Sequence, residues 1–500
     1  MAAAFRILEV IGALGAGLYL VLNLCVLASR WKDRRRYVPM LLLLIPSMAS
    51  ATTYTADTCN GTADHTKVQT AVNSASDGDT VQIPAGTCTF TGSVTTNNQN
   101  VIIQGAGEGV TNLTCNSSPC FDFLGDTKTG YELKNMTMST NSGALIEQHC
   151  FNATALLTGR FNMHHLTLNV SGGGAKIVRI ECVAYGVAHH ITARSVDGAG
   201  ILNWFSHIPQ NAQDNYPTNP AGHWFCQTYP VELGTDKAFY VEDSDIRSTE
   251  YSGINDNVWC GRMVLRHNYF QGPFHLQTHA ARTDEIGGAH SEYYNNKHVC
   301  VTVVGNPDKE CPGHANMRSG TGVIFNETVQ QTGGNLLGIA LLMDHQRCTN
   351  ATGCLGITSG APLGLCNSSN TNDDRIESNG WPCRNQPGWI GPKGAQTNSP
   401  IYIWNNGTQD GCSTGGACSV DYNGIDINCS GIGAAPGRME DYISTVAHSN
   451  GMKDYCVGTT TMPASCGTHT NTYTSYTYPH PLQGGGDVTP PAAPTGVSVN

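Results

Sequence analysis

The sequence predicts an all-β chain that grows by stacking short strands into a solenoid, with an N-terminal capping helix and large loop insertions between turns. Three observations lead there. A loose six-residue pattern (apolar, any, Asn/His/Asp, any, any, apolar) recurs seven times between Leu133 and Val329. Charged residues are only 13% of the chain while Gly (57), Thr, Ser and Asn are abundant, which suits turn-rich β structure and argues against a helical bundle. The stretch Asp64–Gly107 switches abruptly from helical to strand periodicity.

In that stretch Val68, Ala71, Val72 and Ala75 recur at helical spacing, with Asp64 as the expected N-cap. Val81 and Ile83 then alternate with Gln82, a Pro84-Ala85-Gly86 turn follows, and Val101 to Gly105 makes a second strand. The helix would cover the first open strand edge, whose backbone groups are otherwise unpaired. Two groups of residues here, Ala71-Val72 through Asp77-Gly78-Asp79-Thr80-Val81 to Ile83–Thr87, then Val101, Ile103 and Gly105-Ala106-Gly107, carry a family likeness. They resemble the opening of secreted bacterial proteins of the pectate-lyase-like superfamily. Trp381-Pro382-Cys383, Ile401–Asn406 and Tyr473–Leu482 follow in the same order as in those proteins, so the resemblance covers most of Asp64–Leu482. It implies a right-handed parallel β-helix whose outer strand face forms a polysaccharide groove.

The third positions of the six-residue pattern are Asn135, His165, His190, Asp243, His267, Asn296 and Asn326, separated by 30, 25, 53, 24, 29 and 30 residues. A coil of 24 to 30 residues accommodates three short strands and three turns. The 53-residue gap is two coils, or one coil plus an insertion; it contains Trp204–Tyr229, rich in aromatics, Asn and Pro. A second Cys/Gly/Pro-rich insertion spans 348–400. The expected organisation is an export segment over 1–51, a β-helix over 52–482 and a disordered Gly/Pro-rich tail over 483–500.

Val10–Ser29 is uncharged and long enough to span a bilayer, and a basic block follows it. Arg34–Arg36, the apolar run Val38–Pro46 and Ala49-Ser50-Ala51 read as a secretory signal cleaved after Ala51. A signal normally begins a chain, so a start nearer that signal is expected, with a retained membrane anchor as the alternative. Either way the bulk is secreted or held at the cell surface. Twenty cysteines agree with export and a disulfide framework. Close pairs that can close small loops are Cys115/Cys120, Cys300/Cys311, Cys348/Cys354, Cys412/Cys418 and Cys456/Cys466. Removing Cys25 with the leader leaves 19, so one thiol is free or bridges two chains. Residues 52–500 carry 21 Lys/Arg against 36 Asp/Glu, a net −15 that excludes nucleic acid as a partner.

Side chains alternate across a strand and successive coils are about 4.8 Å apart, so equivalent outward positions line up as ladders. With Leu133, Met163, Ala188, Val241, Leu265, Tyr294 and Ile324 inward, one outward column is Lys134, His164, His189, Glu242, Arg266, Asn295 and Phe325. Two residues earlier, Tyr240 and Tyr293 would stack on sugar rings. Lys134, Asn295, Tyr240 and Tyr293 are the substrate-binding candidates. Glu242 and Arg266 fall on adjacent coils, and two readings stay open. They form a cross-strand salt bridge, or Arg266 neutralises a uronate while Glu242, His189 or His164 abstracts the proton α to it, as in β-elimination. His279 and Arg282, in a loop between coils, are further catalytic candidates. The third-position column reads as a structural hydrogen-bonding ladder, although Asp243 with Asp245 can ligate Ca²⁺.

No W-I-D-H or R-x-P-x-x-R stretch of pectate lyases occurs, nor the N-x-D, D-D, G-H-G and R-I-K series of polygalacturonases. The resemblance therefore implies a fold and carries no catalytic residue onto this chain. The expected function is extracellular polysaccharide binding, with cleavage as a lyase before a hydrolase. The alternative is a non-catalytic adhesive or structural protein of the cell surface or matrix.

Overall fold

A computed structural model describes the chain between residues 51 and 484, apart from 150–160, 208–230, 279–286, 302–314, 342–386, 409–450 and some shorter stretches. The export segment, most of both insertions, the tail from 485 on and the candidates His279 and Arg282 lie outside the described residues. What is described is a parallel β-helix. One ladder of strands runs through Thr53–Thr55, Thr80–Gln82, Ile102–Gln104, Glu132–Thr140, Phe161–Ser171 and Gly186–Val196. It continues through Phe239–Glu242, Arg262–Arg266, His290–Tyr294, Thr321–Phe325, Ile401–Trp404 and Tyr455–Gly458. A second ladder bends away from it through Asp245–Arg247, Tyr269–Gln271, Lys297–Val301, Thr328–Thr332 and Gly407–Thr408. A third, six-stranded sheet extends from Val94–Asn97 to Asn255–Asn257. Gly186 pairs directly with Phe239, so the 53-residue gap is one coil plus an insertion.

The two ladders meet at a corner where one residue per coil takes a left-handed backbone: Asn135, His165, His190, Asp243, His267, Asn295, Asn326 and Asn405, with φ between 49° and 59°. Asn, Asp and His are the non-glycine types that enter this region most readily, which explains the restricted third position of the repeat. The corner is at Asn295 and not at the expected Asn296. That one-residue shift turns Tyr293 inward and Tyr294 outward, because side chains alternate with period two. The sequence offers Tyr-Tyr-Asn-Asn at this point, which satisfies the pattern in either register; pairing with Leu265 and Arg266 decides between them.

Inside, Leu133, Met163, Ala188, Val241, Leu265, Tyr293, Ile324 and Ile403 stack into one continuous core. Each fully buried large apolar side chain contributes about 1.5–3 kcal/mol. Beside the corner the buried residues Asn268 and Asn296 form an internal ladder. Their amides donate to the Val241 and Leu265 carbonyls of the preceding coil, both at 2.8 Å. Outside it, Asn295, Asn326 and Asn405 make a second ladder that links back to His267. Gly105 packs so tightly under the next coil that a Cβ would collide with the Asn135 carbonyl.

The helix His65–Ser74 buries Val68, Ala71 and Val72. Its Gln69 amide donates to Thr95 O and accepts from Thr95 N, which completes the exposed edge of Val94–Asn97 and caps that sheet. Asp64 holds the N-cap position as expected, its carbonyl accepting from Val68 N–H, but its side chain makes no capping hydrogen bond. Its carboxylate turns away to accept from the Gly61 and Thr89 N–H groups and to pair with Lys67. Cys115–Cys120 and Cys456–Cys466 are bridged as the spacing suggested, and Cys59–Cys88 staples the helix entry to the first coils.

Candidate functional site

Strand register sets the outward column as Lys134, His164, His189, Glu242, Arg266, Tyr294, Phe325 and Trp404. The column two residues earlier is Glu132, Asn162, Val187, Tyr240, Val264, Glu292, Val323 and Tyr402. Asn295 and Tyr293, expected on this face, belong to the corner and the core. The Tyr293 hydroxyl accepts from Asn255 Nδ2 inside the helix and offers no platform to a sugar.

The C-terminal half of this face is sealed by the chain's own segment Asn471–Gln483, a strap that runs back along the columns. Tyr473 packs on Phe325 and Trp404, and its hydroxyl donates to Glu292 at 2.7 Å. Arg266 donates to the carbonyls of Tyr476 and Thr477, both at 2.8 Å. The Tyr478 ring stacks on His267 with centroids 3.7 Å apart, and its hydroxyl donates to Asp243. Glu242 accepts from His480 N–H and Gln483 Nε2, each at 2.8 Å. At the far end Asn162 donates to the Leu482 carbonyl.

Glu242 and Arg266 are neighbours, joined by Arg266 Nε–Glu242 Oε2 at 2.6 Å, and both side chains are 0% exposed. Burial pushes the Glu242 carboxyl upward against the pull of Arg266. Burial works to lower Arg266, but the charges of and hydrogen bonds to Glu242 and Tyr294 together outweigh it and hold the guanidinium firmly protonated. Tyr240 lies beneath this pair, its ring 4.6 Å from the guanidinium and in contact with Tyr476 and His480. Its hydroxyl donates to Thr235 O, and burial raises its pKa. The pair and its platform are thus the anchor of the strap.

Toward the N-terminal coils the face opens. Glu132 and Lys134 form an ion pair with side chains 25% and 21% exposed, and His164 Nε2 reaches Glu132 at 3.1 Å with 16% of its side chain exposed. The His164 hydrogen bond holds the Glu132 carboxyl down at about 2, against its burial. His164 and His165 share an Nδ1···Nδ1 contact of 2.8 Å, and His189 and His190 one of 2.9 Å. The four rings stack coil on coil, His164 on His189 and His165 on His190. Burial, then the neighbouring imidazoles, lowers His189 to about 2, so it is neutral and enclosed.

The Asp243 carboxylate is taken up by Tyr478 and Gln483, and Asp245 by Arg247 and Arg194, so each expected calcium ligand already has donors from its own chain. Among the described residues no three His, Cys, Asp or Glu side chains are grouped to hold a metal ion. The strap was not read from sequence as part of this face. Its signal is the run Tyr473, Tyr476, Tyr478, His480, aromatic but without aliphatic residues of a core strand. Glu292 was missed through the register shift. No known protein-family model matches the chain, and no curated protein matches it.

Proposed function

We propose that the protein is an extracellular polysaccharide-binding β-helix that holds its ligand along the outer face of the N-terminal coils, ahead of the strap. The observation that carries this is the contrast along the outer strand face. Lys134, Glu132 and His164 keep solvent contact while Glu242 and Arg266 keep none. Lys134 supplies a cation for a uronate or sulfate, Glu132 an acceptor for hydroxyls, and His164 a partly exposed imidazole beside both. Any β-elimination would then run at Lys134 and His164, because Arg266 and Glu242 are spent on the strap. The resemblance of the opening coils to pectate-lyase-like proteins supports the same ligand class. A second reading, a non-catalytic adhesive or structural protein, is favoured by the full burial of the Glu242–Arg266 pair, which stabilises coils without touching a ligand.

The test is a binding panel of acidic and neutral polysaccharides on the purified full-length chain, with and without Ca²⁺. Absorbance of unsaturated uronate and reducing ends are followed together. Lys134→Ala is expected to weaken binding at least tenfold with unchanged Tm. A rise in both signals, lost in His164→Ala, identifies a lyase, and reducing ends alone a hydrolase. Retained binding in Lys134→Ala would refute the proposed face. No binding to any polysaccharide would leave the structural reading.

A further inference from the structure

Where the strap ends, four buried polar atoms have no hydrogen-bond partner: Asn162 Oδ1, His189 Nε2, His480 Nε2 and Gln483 Oε1. Native interiors rarely leave such groups unpaired, so four in one place point to an occupant. They share one junction. Asn162 Nδ2 donates to the Leu482 carbonyl, and the Leu482 N–H to His480 Nδ1, both at 3.2 Å. Gln483 Nε2 donates to Glu242, whose register partner on the preceding coil is His189. The His480 backbone N–H donates to the same Glu242 carboxylate at 2.8 Å. His189 and His480 are 4% and 1% exposed.

The bonds already made fix what three of the four atoms require, while His189 Nε2 donates or accepts according to which ring carries the proton in its Nδ1 contact with His190. Asn162 and Gln483 have their amide nitrogens donating, so their free atoms are carbonyl oxygens that accept. His480 accepts at Nδ1, so as a neutral ring it carries its proton on Nε2 and must donate. The occupant therefore both donates and accepts. An oxyanion would satisfy His480, but it would leave both carbonyl oxygens unpaired and lie beside Glu242 and Asp243. An ammonium would face the His480 N–H. A hydroxyl does both.

We propose that this junction is a binding site for the hydroxyl-bearing end of a neutral saccharide, half of it built by strap residues His480 and Gln483. The inference rests on the polysaccharide reading above and places the strap inside the site rather than over it. The turn Pro481–Gln483, followed by Gly484 with a left-handed φ of 71°, holds His480 and Gln483 against Glu242.

The experiment is calorimetric titration of the full-length chain with cellotriose, maltotriose, mannotriose and trigalacturonate, for wild type, His480→Phe, Asn162→Ala and Lys134→Ala. The expected result is 1:1 binding of at least one neutral trisaccharide, weakened tenfold or more by His480→Phe and by Asn162→Ala, both still folded by circular dichroism. Neutral trisaccharides binding equally to both variants, or not at all, would overturn the inference and assign the junction to ordered water. Polysaccharide binding that Lys134→Ala abolishes and His480→Phe leaves intact would sink this site while sparing the proposed function. Loss of all saccharide binding in the wild type removes both.

Discussion

Replacing Arg266 by Met removes the cation on which the strap is seated. Its guanidinium makes four hydrogen bonds: to Glu242 at 2.6 Å, the Tyr294 hydroxyl at 2.9 Å, and the Tyr476 and Thr477 carbonyls at 2.8 Å. Methionine fills much of the volume but leaves Glu242 buried with no countercharge and two strap carbonyls with no donor. Taking one partner from a buried ion pair costs about 3–5 kcal/mol, a large share of the 5–15 kcal/mol typical of a whole domain. The expected result is a loss of about 3–5 kcal/mol in denaturant unfolding, together with rapid chymotryptic cleavage at Tyr473 or Tyr476. Adding Glu242→Leu to Arg266→Met removes the stranded carboxylate and is expected to restore most of the loss. A cost below about 1 kcal/mol, with the strap still protected, would refute the claim that this pair is sealed and anchoring. The same result decides how an Arg266 variant without activity is to be read. If it has lost the strap, its inactivity says nothing of catalysis.

Two further outcomes are expected. Burial holds His480 down to about 3 and His189 to about 2, below the ordinary 6.5, so the folded chain binds fewer protons than the unfolded one. Their contribution is present above about pH 6.5 and is lost as pH falls toward 3, at about 1.4 kcal/mol per pH unit for each group. The raised Glu242 works in the opposite sense above its unfolded value. Urea midpoints between pH 7 and 4 are expected to fall less steeply in His480→Gln, and an unchanged slope would count against burial of that imidazole. In the internal ladder, Asn296→Ala is expected to cost about 2–3 kcal/mol because it strands the Leu265 carbonyl and the Asn268 N–H. The exposed Asn326→Ala should cost under about 1 kcal/mol beyond its corner strain, and equal losses would show that the two ladders do not differ in burial.

Local chemistry made the solenoid legible in the sequence. A corner that needs a left-handed residue admits few types, so Asn135, His165, His190, Asp243, His267 and Asn326 mark six coils without any knowledge of their partners. The same pattern put Lys134, His164, His189, Glu242 and Arg266 on one outward column, because alternation along a strand is fixed by backbone geometry. It failed at Tyr293–Asn296, where two Tyr and two Asn satisfy both registers and only pairing with the previous coil breaks the tie. It failed more fully over what covers that column. Glu242 and Arg266 meet Tyr476 to Gln483 across more than 200 residues of chain. Periodicity describes neighbours along a strand and between coils, and carries no information on a segment that returns from elsewhere. The sequence by itself determined the coil and the side each residue faces. Burial, and with it the division of one column into an open stretch and a sealed anchor, was decided only when the strap docked.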